Sequence, residues 1–124
     1  MDVQQSLFSK ILTTLRGKGL DVYDGALPPK DTPYPFVYVG DSQTVDTMRK
    51  GGIGGSVYQT IHVWHNNYDE RGTLSDIMST VKNAMYEIDN ATGWLLSEVS
   101  TQIVPDTTTD VPLMHGIINV TFKY

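Results

Sequence analysis

The three histidines are the residues of this sequence best suited to metal binding or to proton transfer near neutral pH. His62 and His65 are three positions apart in a run of β-branched and aromatic residues, so on a strand their side chains point to opposite faces. Such a pair cannot ligate one metal ion. His115 is too far away in sequence to be placed beside either of them. We therefore expect hydrogen-bonded histidines at surface or half-buried positions, and no metal site.

Carboxylates and glycines offer two other kinds of chemistry. Asp24, Asp41 and Asp46 stand at predicted strand ends, where carboxylates could pair for acid–base catalysis, but aspartate there is more often a turn former. The glycine-rich run 51–55 has the composition of a phosphate cradle, which needs a helix N-terminus behind it, whereas a strand follows here. The motifs G-x-S-x-G and H-E-x-x-H do not occur. The sequence predicts no catalytic residue and no cofactor, so we do not expect an enzyme.

The fold prediction depends on a strand at residues 57–65 that is followed at once by a helix. Along the strand, aliphatic residues alternate with aromatic and polar ones, as expected for an element packed on at least one face. One face carries Val57, Ile61 and Val63, and the other carries Tyr58, Thr60, His62 and Trp64. We interpret the Trp64 face as core beneath a helix.

The helix after this strand has apolar residues spaced by three and four from Leu74 to Ile88, and it should end near Asn90. Asp69 or Thr73 is expected to cap its start. In chain order the other patterns are a helix at 2–16 capped by Asp2, a strand at 20–24, a proline-rich loop at 25–35, a strand at 36–45, an extended segment at 94–104, a loop at 105–112 and a strand at 114–124.

Together these elements predict an α+β fold in a single domain covering residues 1–124. We expect a mostly antiparallel sheet of about four to five strands, with two helices packed on it. Between the strands at 36–45 and 57–65, residues 47–56 include four glycines in five positions, which cannot hold a fixed conformation by themselves. The sequence therefore predicts a long, flexible hairpin arm at this point.

Composition excludes several classes of protein. The net charge is −5, from 9 basic and 14 acidic residues, and an acidic domain without clustered Lys and Arg is a poor nucleic-acid binder. The absence of cysteine excludes disulfides and thiolate metal sites. No run of 18 apolar residues occurs, so no membrane span is expected, and without a signal peptide a bacterial cytoplasm is the expected place of synthesis.

Four short motifs and their order carry a resemblance to a known family. They are Val22-Tyr-Asp24, Pro35-Phe-Val-Tyr-Val-Gly40, Ile61-His-Val-Trp-His65 and His115-Gly116. With an opening helix before them and an alternating strand at the end, this order resembles the tail-completion, or tail-terminator, family of long-tailed bacteriophages and related prophages. The resemblance spans nearly the whole chain.

The resemblance implies a structural role in the virion, at the tail–head junction of a phage with a non-contractile tail. Six copies would form a ring that ends polymerisation of the tail tube and presents a surface for head attachment. DNA would pass through the channel without sequence-specific binding. The implied partners are other copies of the chain, the major tail tube protein and a head-closure (neck) protein. The implied protein has no catalytic residues, no cofactor and no membrane contact.

Two loops are the candidate partner-binding sites. The first choice is the arm, with Met48, Arg49, Lys50 and Ile53 as contacts, and the second is the loop with Asp106, Thr107 and Thr108. Two other functions remain open. The chain could be a different head–tail joining protein, such as a head-closure component, or a small cytoplasmic ligand-binding domain.

Overall fold

The computed structural model describes residues 2–25, 28–29, 31–92, 94–107 and 112–124. Within these residues the chain forms two α-helices and five strands. Their bounds are α1 (Val3–Gly17), β1 (Val22–Asp24), β2 (Phe36–Arg49), β3 (Gly52–His65), α2 (Arg71–Thr92), β4 (Leu95–Asp106) and β5 (Leu113–Lys123), with a 3₁₀ turn at Tyr68–Glu70 before α2. None of the described helices is long and apolar enough to cross a bilayer.

The described strands form one five-stranded sheet in the order β1-β2-β3-β5-β4. Strand β1 pairs with β2 in parallel, and the other neighbours are antiparallel. The antiparallel part of the sheet thus consists of two hairpins, β2–β3 and β4–β5, which are joined because β5 pairs with β3. Strand β1 adds to this part at β2. The α+β prediction, with a mostly antiparallel sheet and two packed helices, is confirmed.

The core lies between the two helices and one face of the sheet. On β3 its aliphatic residues are Val57, Ile61 and Val63, which are fully buried, and Gln59 and His65 are buried on the same side. The apolar stripes of the helices cover them because residues three and four apart share one side of a helix. The buried stripe residues are Leu7, Ile11 and Leu15 of α1, and Leu74, Met78, Val81, Ala84, Met85 and Ile88 of α2.

The other face of the sheet, called the open face below, is covered by neither helix, although the rings of Tyr23 and Tyr34 pack on Phe36 at one end of it. Its side chains on β3 are Tyr58, Thr60, His62 and Trp64; Tyr58 is 44% exposed and the other three are half-buried. The interpretation of the Trp64 face as core beneath a helix is therefore wrong. The reason is that both helices pack on the face that carries the aliphatic residues of β3, which gains more from removal from water than the aromatic and polar face. The buried amide of Gln59 on the helix-covered face donates to backbone carbonyl oxygens and is thereby satisfied.

The sequence predicted the N-terminal cap of one helix correctly and that of the other wrongly. Asp2 caps α1 as predicted, and its carboxylate accepts the N–H of Gln5 at 3.3 Å. At α2, however, the side chain of Asn67 accepts the N–H of Asp69 at 2.9 Å and starts the 3₁₀ turn. Because α2 then begins at Arg71, Thr73 lies within the helix. The prediction of a cap at Asp69 or Thr73 is wrong, since a local turn closed by Asn67 begins the structure earlier.

The side chain of Met78 in helix α2 packs directly against Gly116 of β5. A Cβ atom at this glycine would lie 2.6 Å from the sulfur of Met78, which is buried. A side chain at position 116 would therefore push α2 away from β5, or force Met78 out of its place in the core.

We expect Gly116→Ala to lower the free energy of unfolding by about 1–3 kcal/mol, the usual cost of inserting a methyl group into a packed core. Gly72→Ala is the matched control, because a Cβ atom at Gly72 in α2 meets nothing within 4 Å. Alanine there should raise the stability by about 0.5–1 kcal/mol through its higher helix propensity. Urea unfolding of both variants checks this; equal effects at the two glycines would contradict the close packing at Gly116.

Candidate docking surfaces

The arm comprises residues 47–54, the part of the β2–β3 hairpin that extends beyond the end of β5. Its strands stay paired to the tip, with Met48 opposite Ile53 and Arg49 opposite Gly52. Lys50 and Gly51 form the closing turn. Gly52 has φ = 141°, a conformation that residues with a side chain rarely adopt. The predicted hairpin arm is present, and most of its glycines lie in strand β3 rather than in a loop.

Tyr124 fastens the base of the arm. Its backbone exchanges hydrogen bonds with Gly55 at 3.3 and 3.2 Å, and its hydroxyl donates to the carboxylate of Asp46. This hydrogen bond raises the pKa of Tyr124 above its ordinary value. The ring also contacts that of Trp94 edge to face, with centroids 5.8 Å apart. Gly55 is required here, since a Cβ atom would lie 2.4 Å from the carbonyl oxygen of Val45.

The four predicted arm contacts lie together at the tip. Met48 is 78% exposed, which is unusual for a large apolar side chain, and Lys50 is exposed at the turn. For Arg49 and Ile53 the structure describes the backbone, which is paired, but not the side chains. The arm thus presents at least one apolar and one cationic side chain to solvent, and its role in binding stays a prediction.

The second predicted loop lies at the other end of the sheet. Asp106 is the last residue of β4 and is half-buried opposite Leu113. Thr107 follows it and is exposed, whereas Thr108 lies outside the described residues. In the sheet, Trp64 of β3 lies two rows of paired residues from Asp106. Trp64 is eleven positions along β3 from Ile53 at the arm tip, so about 36 Å separates the arm tip from the end of the sheet that carries the second loop. The structure does not bring them together.

The open face carries a stack of rings near this second loop. Trp64 and His115 lie face to face, with ring centroids 3.7 Å apart and planes inclined by 9°. On the other side of His115, its Nε2 lies 2.7 Å from Nδ1 of His62. Tyr38 continues the row, with its ring centroid 6.1 Å from that of His62. The row spans strands β2, β3 and β5, so it ties together the central part of the sheet.

Both imidazoles of this stack are held in the neutral form. Burial, and to a smaller extent the neighbouring His62, lower the pKa of His115 to about 4, against the opposing effect of Asp106. Burial also lowers the pKa of His62, against the opposing effect of Asp41. One neutral imidazole can donate its N–H to the other, so the 2.7 Å contact is a hydrogen bond at neutral pH.

His65 lies on the opposite face of β3 from His62, as predicted, and its Nε2 is 3.0 Å from a carboxylate oxygen of Glu70. His115 was the residue that sequence reasoning could not place. It meets Trp64 because the β3–β5 register pairs these two residues, and strand register has no local signal in the sequence. Across the described residues, no three His, Cys, Asp or Glu side chains lie close enough to hold a metal ion.

Comparison with known proteins yields one family. The family described as "Tail completion protein gp17" matches residues 7–120 of the chain. The tail completion protein gp17 of Bacillus phage SPP1 is 33% identical over 99 residues, which are 77% of this chain and 71% of the relative.

Solved structures agree with this result. The structure of the bacteriophage SPP1 gp17 protein superposes with a TM-score of 0.62 at 25% sequence identity, covering 98% of this chain and 90% of that one. A chain of the virion of a native gene transfer agent (GTA) particle gives a TM-score of 0.48 at 16% identity, covering 92% of both chains. That second likeness is too distant to carry an argument.

The histidine stack predicts a pH dependence of stability. Since folding lowers the pKa of His115 from 6.5 to about 4, the unfolded chain binds more protons than the folded chain between these values. The free energy of unfolding therefore falls as the pH drops through this window. His115→Gln should flatten this decline, measured by urea unfolding at several pH values.

Thr121→Val is the control for this experiment, because Thr121 shares the open face while both imidazoles remain. The free energy of unfolding of this variant should fall with decreasing pH as steeply as that of the parent protein. If His115→Gln and the parent protein lose stability equally steeply on acidification, the stack does not titrate as described.

Proposed function

Since the chain belongs to the tail completion protein gp17 family and is a structural protein of a phage virion, we propose that it ends the polymerisation of the tail tube. In this proposal the protein binds the head-proximal end of the finished tube and presents a surface for the head-closure protein. The observation that carries the proposal is the family match over residues 7–120. The proposal assigns the chain no catalytic step.

The active form in this proposal is a closed ring of six copies. A ring of this kind uses heterologous contacts, in which one patch of each copy binds a different patch of the next. Its central channel would let DNA pass. The net charge of −5 suits such a passage, because an acidic lining repels the phosphate backbone and does not retain it.

The arm and the second loop are the contact sites in this proposal. Met48, Arg49, Lys50 and Ile53 would bind a neighbouring copy or the tube protein. Asp106, Thr107 and Thr108 form the second contact site. With about 36 Å between Ile53 and Trp64 along β3, one copy can touch different partners with the two ends of this strand. An apolar side chain as exposed as Met48 favours such a contact, because its burial would stabilise the complex by about 1.5–3 kcal/mol.

Deletion of the gene from its phage, followed by negative-stain electron microscopy, tests the proposal. Abnormally long tail tubes beside tailless, DNA-filled heads are expected, since nothing would stop the tube. Tails of normal length beside heads that have lost their DNA would instead assign the protein to another step of head–tail joining. Normal virions would overturn the virion role and bring forward a ligand-binding function.

The contribution of the arm can be measured by complementing the deletion with variants. We expect the double variant Met48→Asp, Lys50→Glu to lower the yield of infectious particles at least about tenfold, since an anchoring contact in an interface contributes about 2 kcal/mol or more. Lys10→Glu, an exposed charge reversal on α1, is the matched control. Thermal unfolding of the purified variants should be unchanged. Full yield from the double variant would show that the arm tip is not a contact.

A further inference from the structure

Strand β4 is the outermost described strand on one side of the sheet, and the pairing pattern shows which of its backbone groups point away from β5. Tyr124 and Gly55 exchange both backbone hydrogen bonds, and such pairs alternate along an antiparallel ladder. Even-numbered residues of β5 therefore bond to β3, and odd-numbered ones bond to β4. Val99, Thr101 and Ile103 lie opposite even-numbered residues of β5. Their N–H and C=O groups consequently point away from the sheet.

Two contacts at the ends of β4 agree with this assignment. The N–H of Leu96, also opposite an even-numbered residue, turns outward and donates to the carboxylate of Asp89 at 2.7 Å. Pro105 occupies the next outward position after Ile103, where the missing N–H of proline costs no ladder hydrogen bond. A register irregularity between Leu96 and Glu98 adds to the protection of the first end.

Between these protected ends the edge is unprotected. Natural edge strands are usually blunted by charge, proline or a bulge along their length. Residues 99–104 read Val-Ser-Thr-Gln-Ile-Val, a β-prone run without any charged side chain. Such a run invites pairing with another strand, so an edge left in this state is suited to a partner.

A groove of about 300 Å³ runs between this edge and helix α2. The side chains of Ser75 and Ser79 line it on the helix, and those of Thr101 and Ile103 line it on β4. An extended chain laid between an edge strand and a helix gains ladder hydrogen bonds on one side and side-chain contacts on the other. The groove therefore fits a single added strand.

Two positively charged side chains line the groove on its helix side. Arg71 and Lys82 both line it, and within the described part of the chain neither takes part in an ion pair. Eleven helical residues separate them, or about 16 Å along the axis. That distance equals about five residues of an extended strand. In a chain of net charge −5, this pair favours carboxylates at both ends of an incoming segment.

From these observations we propose that the groove between β4 and α2 binds an extended, acidic segment of a partner protein as a sixth strand of the sheet. The backbone of that segment pairs with Val99, Thr101 and Ile103. Its carboxylates lie beside Arg71 and Lys82. This inference goes beyond the proposed function and does not depend on the six-fold ring.

A titration of the ¹⁵N-labelled full chain with two synthetic peptides tests the proposal. The probe is acetyl-Asp-Thr-Val-Thr-Val-Thr-Asp-amide, and its control carries lysine in place of both aspartates. The acidic peptide should bind at least tenfold more tightly, shift the amide signals of Val99, Thr101 and Ile103, and slow their hydrogen exchange. Equal affinity for the two peptides, no binding, or protection at other strands would overturn the proposal.

Two variants separate backbone pairing from charge. Thr101→Pro removes one outward N–H, as Pro105 already does, and should weaken acidic-peptide binding at least tenfold while the other amide signals keep their positions. The double variant Arg71→Glu, Lys82→Glu should reverse the preference between the peptides, whereas Lys10→Glu should not. Unchanged binding by Thr101→Pro or by the double variant would overturn the proposal.

The same spectra would also show whether a second copy of the chain binds the edge of β4 instead of an acidic segment. If the three amides become protected when the protein alone is concentrated, a second copy of the chain binds the edge, and the proposal of an acidic partner segment is wrong. Because this test uses the isolated chain, its failure leaves the outcome of the gene deletion unaffected.

Discussion

One-sided packing of the sheet is the constraint on which the rest of the structure depends. Both helices bury their apolar stripes against the same face of the sheet, α1 over β1 and β2 and α2 over β3, β4 and β5. The two-layer core that results uses up the helices, so neither helix covers the opposite face of the sheet. Gly116 sets how closely the layers approach, because Met78 occupies the space of its missing side chain. Every surface available for partners follows from this arrangement.

Periodicity predicted the elements well because it reports burial directly. The stripe from Leu74 to Ile88 and the alternation at 57–65 gave the second helix and the central strand, and the glycine-rich stretch gave the arm. Periodicity cannot say which of two alternating faces meets the helices when both contain large side chains. The Trp64 face was therefore misassigned. Only the free energy of burying whole faces decides this, and it depends on both helices at once.

The candidate sites were predictable only in part, for a related reason. The residues of the arm tip are neighbours in the sequence, so the glycine-rich composition of this one stretch was enough to predict an exposed Met48. The stack of Trp64, His115 and His62 depends on the pairing of strands that are more than fifty residues apart. The edge of β4 depends on β5 lying between β3 and β4. Such non-local pairing arises from the closure of long loops and leaves no signature in any short window.

The glycines of the arm have a steric consequence. At positions 51, 52 and 54 the arm carries no side chain, so this part of the hairpin is thinner than a strand that carries side chains on both faces. Packed sheets are normally held about 10 Å apart by their side chains, whereas a bare strand can approach another backbone much more closely. The arm would therefore fit a narrower gap than a hairpin with side chains at every position of both strands.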